Sequence, residues 1–194
     1  MKSFAISGSL RENVGKRDAK ELRYQGLVPA VLYGGATQTH FSISAAEINT
    51  AIYTHEVHFI DLDIAGTKSQ AIIKDLQFHP LTSETLHVDF LLLDEAKPVT
   101  IEIPITLVGT SPGVKMGGKL VQKLRKLRVK ALPKDHLDTI EVSIEGLEVG
   151  RSVRVRDISV ENLIITNTPE DTILSITTSR ALRQAEQEAA AKGK

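Results

Sequence analysis

The sequence has no cysteine and no tryptophan, and aromatic residues make up 4% of its 194 positions. Without thiols there are no disulfides, no zinc–thiolate sites and no cysteine nucleophile, and nothing points to an oxidising compartment. No apolar run approaches the roughly 20 residues of a membrane-spanning helix. After Lys2 only Phe4, Ala5 and Ile6 precede Ser7, Gly8 and Ser9, too short for the apolar centre of a signal peptide. A cytoplasmic protein with no membrane partner is expected. Net charge is absent too, with 24 Lys+Arg against 24 Asp+Glu. Phosphate neutralisation supplies much of the affinity for nucleic acid, so a neutral total argues against such binding unless the charges are segregated.

They are segregated. Residues 1–40 carry six cations against three acids, whereas residues 41–94 carry only Lys68 and Lys74 against eight acids. From Lys115 to Lys134 there are eight cations and no acid. Five of the first group, Arg11, Lys16, Arg17, Lys20 and Arg23, fall in one stretch that runs on through two turn signals to Tyr33 and Gly35. Such a segment beside an acidic remainder orients an approaching polyanion.

A chain of 194 residues suits two domains of about 90 to 100 residues. Residues 3–9 read as a strand and Asp18–Tyr24 as a short helix stopped by Gly26. Pro29 forbids a return to helix, and Val31–Tyr33, closed by two glycines, reads as a strand paired with Phe41 and Ile43. Ser44 and Glu47 have the spacing of a capping box, predicting a helix over 45–53. Strands follow at 57–64, 70–78 and 85–93. Six strands and two short helices indicate a small, mainly β barrel over 1–94. The polar break Asp94–Pro98 precedes a clean alternation from Val99 to Leu107, in which Pro104 implies an edge strand. Further strands near 139–144, 152–156 and 172–178 give a second all-β domain over 95–178. The remaining 179–194 is expected to be a helical or disordered tail. Segment 119–132 is ambiguous. Leu120, Leu124, Leu127 and Ala131 have helical spacing, yet Leu127, Val129 and Ala131 also alternate; periodicity favours helix.

Two constellations suggest chemistry. Gly113 to Lys119 has the glycine, four residues, glycine, lysine spacing of a phosphate loop, but Leu120 stands where a magnesium-binding hydroxyl belongs, and a plain turn between strands is the better explanation of the glycines. His87 and Asp89, two apart on a strand, share a face. With His79 they would make a metal set; as a catalytic dyad they lack a nucleophile. A metal- or phosphate-handling enzyme using these groups is the alternative reading, set against a histidine and an aspartate on a solvated strand. Nucleic-acid recognition uses the same residues better. Lys and Arg hold phosphates, Tyr33 stacks or donates its hydroxyl, and Gln77 and Asp89 read base edges. A carboxylate survives beside phosphates only where a base amino group or a hydroxyl donates to it. RNA is favoured over DNA, because a barrel face suits a shallow minor groove and no helix here is long enough to fill a major groove.

The run Gly15-Lys16, Leu22-Arg23, Gly26, Val28-Pro29-Ala30-Val31 and Tyr33-Gly34, followed by Leu76-Gln77-Phe78-His79-Pro80 and His87-Val88-Asp89-Phe90, resembles the bacterial large-subunit ribosomal proteins that bind 5S rRNA. GVKMGG (113–118), ALP (131–133) and GLEVGRSVRVRDI (146–158) resemble their long two-domain form, the general stress protein CTC family. The resemblance implies a six-stranded N-terminal barrel docked on the loop E region of 5S rRNA and a non-enzymatic role in the large subunit. It implies no cofactor, metal or small-molecule substrate, and leaves other large-subunit components to the second domain. RNA contacts carried over by position are Arg11, Lys16, Arg23, Tyr33, Gln77, His87 and Asp89, with Arg17, Lys20 and Lys74 as secondary candidates. Tyr24 stands where the family often has a second basic residue. The resemblance also implies strand for 119–132, and that is the reading adopted.

Overall fold

Strand Ser3–Leu10 (β1) lies parallel to Phe59–Ile64 (β4), and this pairing closes a six-stranded barrel. The computed structural model describes residues 3–35, 37–54, 57–160 and 162–178; the expected tail at 179–194 lies outside them. Between β1 and β4 come helix Lys16–Tyr24 (α1), strands Leu27–Tyr33 (β2) and Thr39–Ser44 (β3), and helix Ala45–Ile52 (α2). Thr67–Phe78 (β5) and Thr85–Leu92 (β6) complete the order β1-β3-β2-β6-β5-β4. Closure removes the exposed sheet edges. The inside is filled by alternate residues of each strand, among them Ile6, Val28, Phe41, Ile60, Val88 and Phe90. Gly26, with φ +77, ends α1 as its sequence predicts.

Local expectations were met with changes that have physical causes. α2 forms, but not through a capping box. Ser44 makes no side-chain cap, and Glu47 instead reaches the Ser7 amide at 3.4 Å, linking α2 to β1. Pro29 lies inside β2, one residue before the parallel pairing with β6 begins at Ala30, so no donor to that neighbour is lost. Gly34 has φ +100, and a Cβ there would stand 2.8 Å from Leu91 Cδ1, so the turn after Tyr33 needs glycine.

Contacts divide the chain into two units: residues up to Ile101 with Leu132–Asp138, and Glu102–Ala131 with the described residues from Thr139 on. The polar stretch 94–98 falls between β6 and Val99–Val108 (β7). The second unit also holds the short helix Pro112–Lys115 (α3) and strands Lys119–Gln122 (β8), Lys126–Ala131 (β9), Ile140–Ser143 (β10), Ser152–Arg154 (β11), Ile164–Ile165 (β12) and Thr172–Thr177 (β13). Its sheets have the orders β10-β7-β9-β12 and β11-β13-β8, around Ile103, Leu127, Val129, Ile140 and Ile173. One expectation fails here, and the strand reading adopted for 119–132 holds. β7 is interior rather than an edge, and Pro104 is accommodated because pairing with β10 starts at Ile105. The helical periodicity of 119–132 is overridden: Leu127, Val129 and Ala131 are buried and Lys126, Arg128 and Lys130 exposed, the strict period of a strand with one covered face. β8 and β9 are separate strands in different sheets.

Candidate nucleic-acid interface

Three neighbouring barrel strands, β2, β6 and β5, bring the distant candidates together. On β6, Val88 and Phe90 point into the core, so His87 and Asp89 point outward. Tyr33 follows the same logic on β2, where Val28, Ala30 and Leu32 fill the core and Val31 pairs with Asp89. On β5, simple alternation fails. Ala71 and Ile73 face inward, but a bulge between Ile73 and Asp75 resets the parity, so Leu76 packs inward and Asp75 and Gln77 turn out. Gln77 then pairs with His87 and Asp75 with Asp89. Lys74, the bulged residue, sends its ammonium to the Thr100 carbonyl at 3.4 Å.

His87 Nδ1 lies 2.7 Å from Asp89 Oδ1, both side chains being about one-third exposed or less, at 28% and 32%. That contact fixes the imidazole and offsets part of the repulsion between Asp89 and Asp75, which face each other across the ladder. Asp75 is otherwise engaged through Oδ1 with the Leu76 amide at 2.9 Å. Burial first, then the charges of Asp89 and Asp75, raise the Tyr33 phenol above its ordinary value of 10.0. Tyr33 is therefore held as a neutral hydroxyl, able to donate. Asp75 is the group that the sequence reading missed; its outward position depends on the bulge.

The basic side is supplied by α1, which packs against β2. A second irregularity skips Leu86 between the Gln77–His87 and Phe78–Thr85 pairs. The Leu86 carbonyl instead accepts from Arg23 Nε at 3.0 Å, which fastens Arg23 beside His87 with its terminal nitrogens uncommitted among the described residues. Lys16, Arg17 and Lys20 are exposed along α1, with Lys20 Nζ 5.7 Å from the ring centroid of Tyr24. Arg11 differs from all of them. Its side chain is only 8% exposed, Nη2 meets Asp18 Oδ2 at 2.5 Å, and Nε is buried with no partner among the described residues. In this arrangement Arg11 ties the start of α1 to the end of β1; a phosphate contact requires that ion pair to open.

The alternative constellations do not assemble. Every amide from Gly113 to Gly118 is spent within the protein: Gly113 on Leu147 O, Val114 on Ser111 Oγ, Lys115 on Ser111 O, Met116 on Pro112 O, Gly117 on Val114 O and Gly118 on Gly113 O. A phosphate loop needs those donors free. The loop is a helical turn capped by Ser111. His79 Nδ1 accepts from the Leu81 and Thr82 amides, so it serves the β5–β6 turn. Among the described residues no helix is long and apolar enough to cross a membrane.

The Ribosomal L25p family profile matches residues 6–90, the barrel with its face. The chain belongs to the ribosomal L25p family. The profile of the C-terminal domain of ribosomal protein TL5 matches residues 98–180, so the L25p member at hand is of the two-domain form. Its relatives include the "Large ribosomal subunit protein bL25" of Amoebophilus asiaticus, 44% identical over all of this chain and 99% of the relative. The protein of the same name in Cytophaga hutchinsonii is 44% identical over 99% of this chain and 100% of the relative. That of Bacteroides thetaiotaomicron is 40% identical over the whole of both. These L25p proteins are ribosomal and not enzymes.

Proposed function

We propose that the outward face of β2, β6 and β5, with α1 at its border, binds 5S rRNA at the loop E region and reads a widened minor groove. The wider statement is that the chain is a structural constituent of the large ribosomal subunit, associated with rRNA in the cytoplasmic ribosome. The observation that carries the finer reading is convergence. Tyr33, Gln77, His87 and Asp89 come from three parts of the sequence, and adjacent strands put them on one outward surface.

Their chemistry divides the work. Lys16 and Arg23, with Arg17 and Lys20 flanking, neutralise phosphates and set the register of docking. Asp89 accepts from a base amino group or a 2′-hydroxyl, Gln77 both donates and accepts, and Tyr33 and His87 supply flat rings with a polar edge. Two aspartates on the face repel any backbone that arrives without donors to offer, which favours selective reading over general attraction. A gel-shift titration with 5S rRNA tests this, with a loop E mutant of the same RNA as comparison. Tight binding to the first and loss with the second is the expected result; equal binding to both would reject the assignment.

A further inference from the structure

We propose that the second unit holds a separate site for the phosphate backbone of double-stranded RNA, built on the outward face of β9. It goes beyond the barrel reading, because it uses other residues and asks for no particular sequence or loop.

On β9 the side chains alternate without exception: Leu127, Val129 and Ala131 are buried, and Lys126, Arg128 and Lys130 are exposed. Three cations therefore stand in a row on one face, repeating at roughly 6.6 Å. That interval is close to the separation of successive phosphates along a nucleic-acid strand. β9 is flanked by β7 and β12, so the row sits on backbone held from both sides and not on a mobile arm. Approaching the strand, Lys123 and Arg125 are exposed as well.

One carboxylate, Glu102 beside Arg128, meets the row among the described residues, and Lys126 and Lys130 meet none. Of the eight cations from Lys115 to Lys134, only Arg128, on Glu102 at 3.0 Å, and Lys134, on Glu95 at 2.7 Å, have a carboxylate partner among the described residues. Like charges two residues apart on one strand repel in the free protein, and an anionic partner removes that repulsion. Unlike the barrel face, the outward positions of β9 present no aromatic ring, amide or carboxylate that would read a base. The chemistry fits a uniform backbone: positioning contacts with no sequence information. A protein surface would need an acidic stripe of matching interval, whereas an RNA duplex supplies one everywhere.

The test uses the full chain and a perfectly paired RNA duplex with no internal loop. Affinity is measured across a salt series for the natural protein and for a variant with Lys126→Gln and Lys130→Gln. Both positions are exposed, so the variant keeps its fold, which circular dichroism checks. The slope of log K against log salt is expected to flatten by about 1.8, at roughly 0.9 per phosphate contact by analogy with duplex DNA. An unaltered slope, the result expected if the stripe met a protein or only water, would overturn the proposal. The two readings are kept apart by repeating the gel-shift with 5S rRNA and its loop E mutant: the Lys126→Gln, Lys130→Gln variant keeps the preference of the natural protein between those two RNAs, because both substitutions lie on β9 and none on the barrel face.

Discussion

On the barrel, strands β2, β6 and β5 present a phenol, an imidazole, an amide and two carboxylates, with one cation, Arg23, fastened at their border. On β9 every outward side chain is a lysine or an arginine. Both surfaces come from the same period-two geometry; what differs is the chemistry placed on the outward positions. Hydrogen-bonding groups of mixed kind select among RNAs but attract none of them from a distance, and cations do the reverse. With 24 Lys+Arg against 24 Asp+Glu, the chain has no overall field that would draw it to every polyanion.

Substitutions on the two surfaces and in the barrel core test this contrast. The largest effect is expected from Phe90→Ala, because Phe90 is fully buried, its ring centroid 5.7 Å from that of Phe41, and its strand carries His87 and Asp89. Urea denaturation should show the barrel destabilised by about 3 to 5 kcal/mol, the cost of emptying a core aromatic site. Next comes Arg11→Ala. Removing the guanidinium leaves Asp18 unpaired, and a loss of about 1.5 to 3 kcal/mol in thermal or urea unfolding is expected. The salt slope for 5S rRNA should not move, because Arg11 serves the protein; a slope lower by about one charge would place it on a phosphate instead. Arg23→Ala should flatten that slope by about 0.9 and loosen the end of α1 from β6. Smallest is Tyr33→Phe. The Tyr33 hydroxyl has a raised pKa, so the folded state holds its proton more tightly than the unfolded one. Its contribution is complete below pH 10.0 and is lost as pH rises above that. The natural protein should therefore lose stability relative to Tyr33→Phe only in alkaline solution.

Much of this was readable in the sequence, and the exceptions have identifiable causes. His87 and Asp89 share a face because two residues on a strand always do, and α1 stops where Gly26 says it should. Gln77 is different. Strict alternation from Ala71 and Ile73 turns it inward, and only the bulge at Lys74 turns it out; its amide chemistry and the resemblance pointed to it where periodicity could not. The same bulge hid Asp75. Arg11 looks like any exposed cation of a basic segment, since its burial depends on where Asp18 lands when α1 folds. In β9, Leu127 and Ala131 fit both a helix and a strand template, and Val129 fits only the strand. The intervening Lys126, Arg128 and Lys130 settle the choice, because charges at every second position leave only one coverable face. Pro104 misled for a related reason: proline excludes a neighbour only where a donor is needed, and the pairing with β10 starts one residue later.

The barrel reading stands or falls on Asp89 accepting a hydrogen bond from the RNA. The direct measurement is the affinity of Asp89→Ala for 5S rRNA over a salt series beside the natural protein. A lost charged hydrogen bond to a base or hydroxyl weakens binding by about 1 to 3 kcal/mol at every salt concentration, displacing the line of log K against log salt downward with its slope unchanged. Superimposed lines, or tighter binding once the negative charge is gone, would contradict the account.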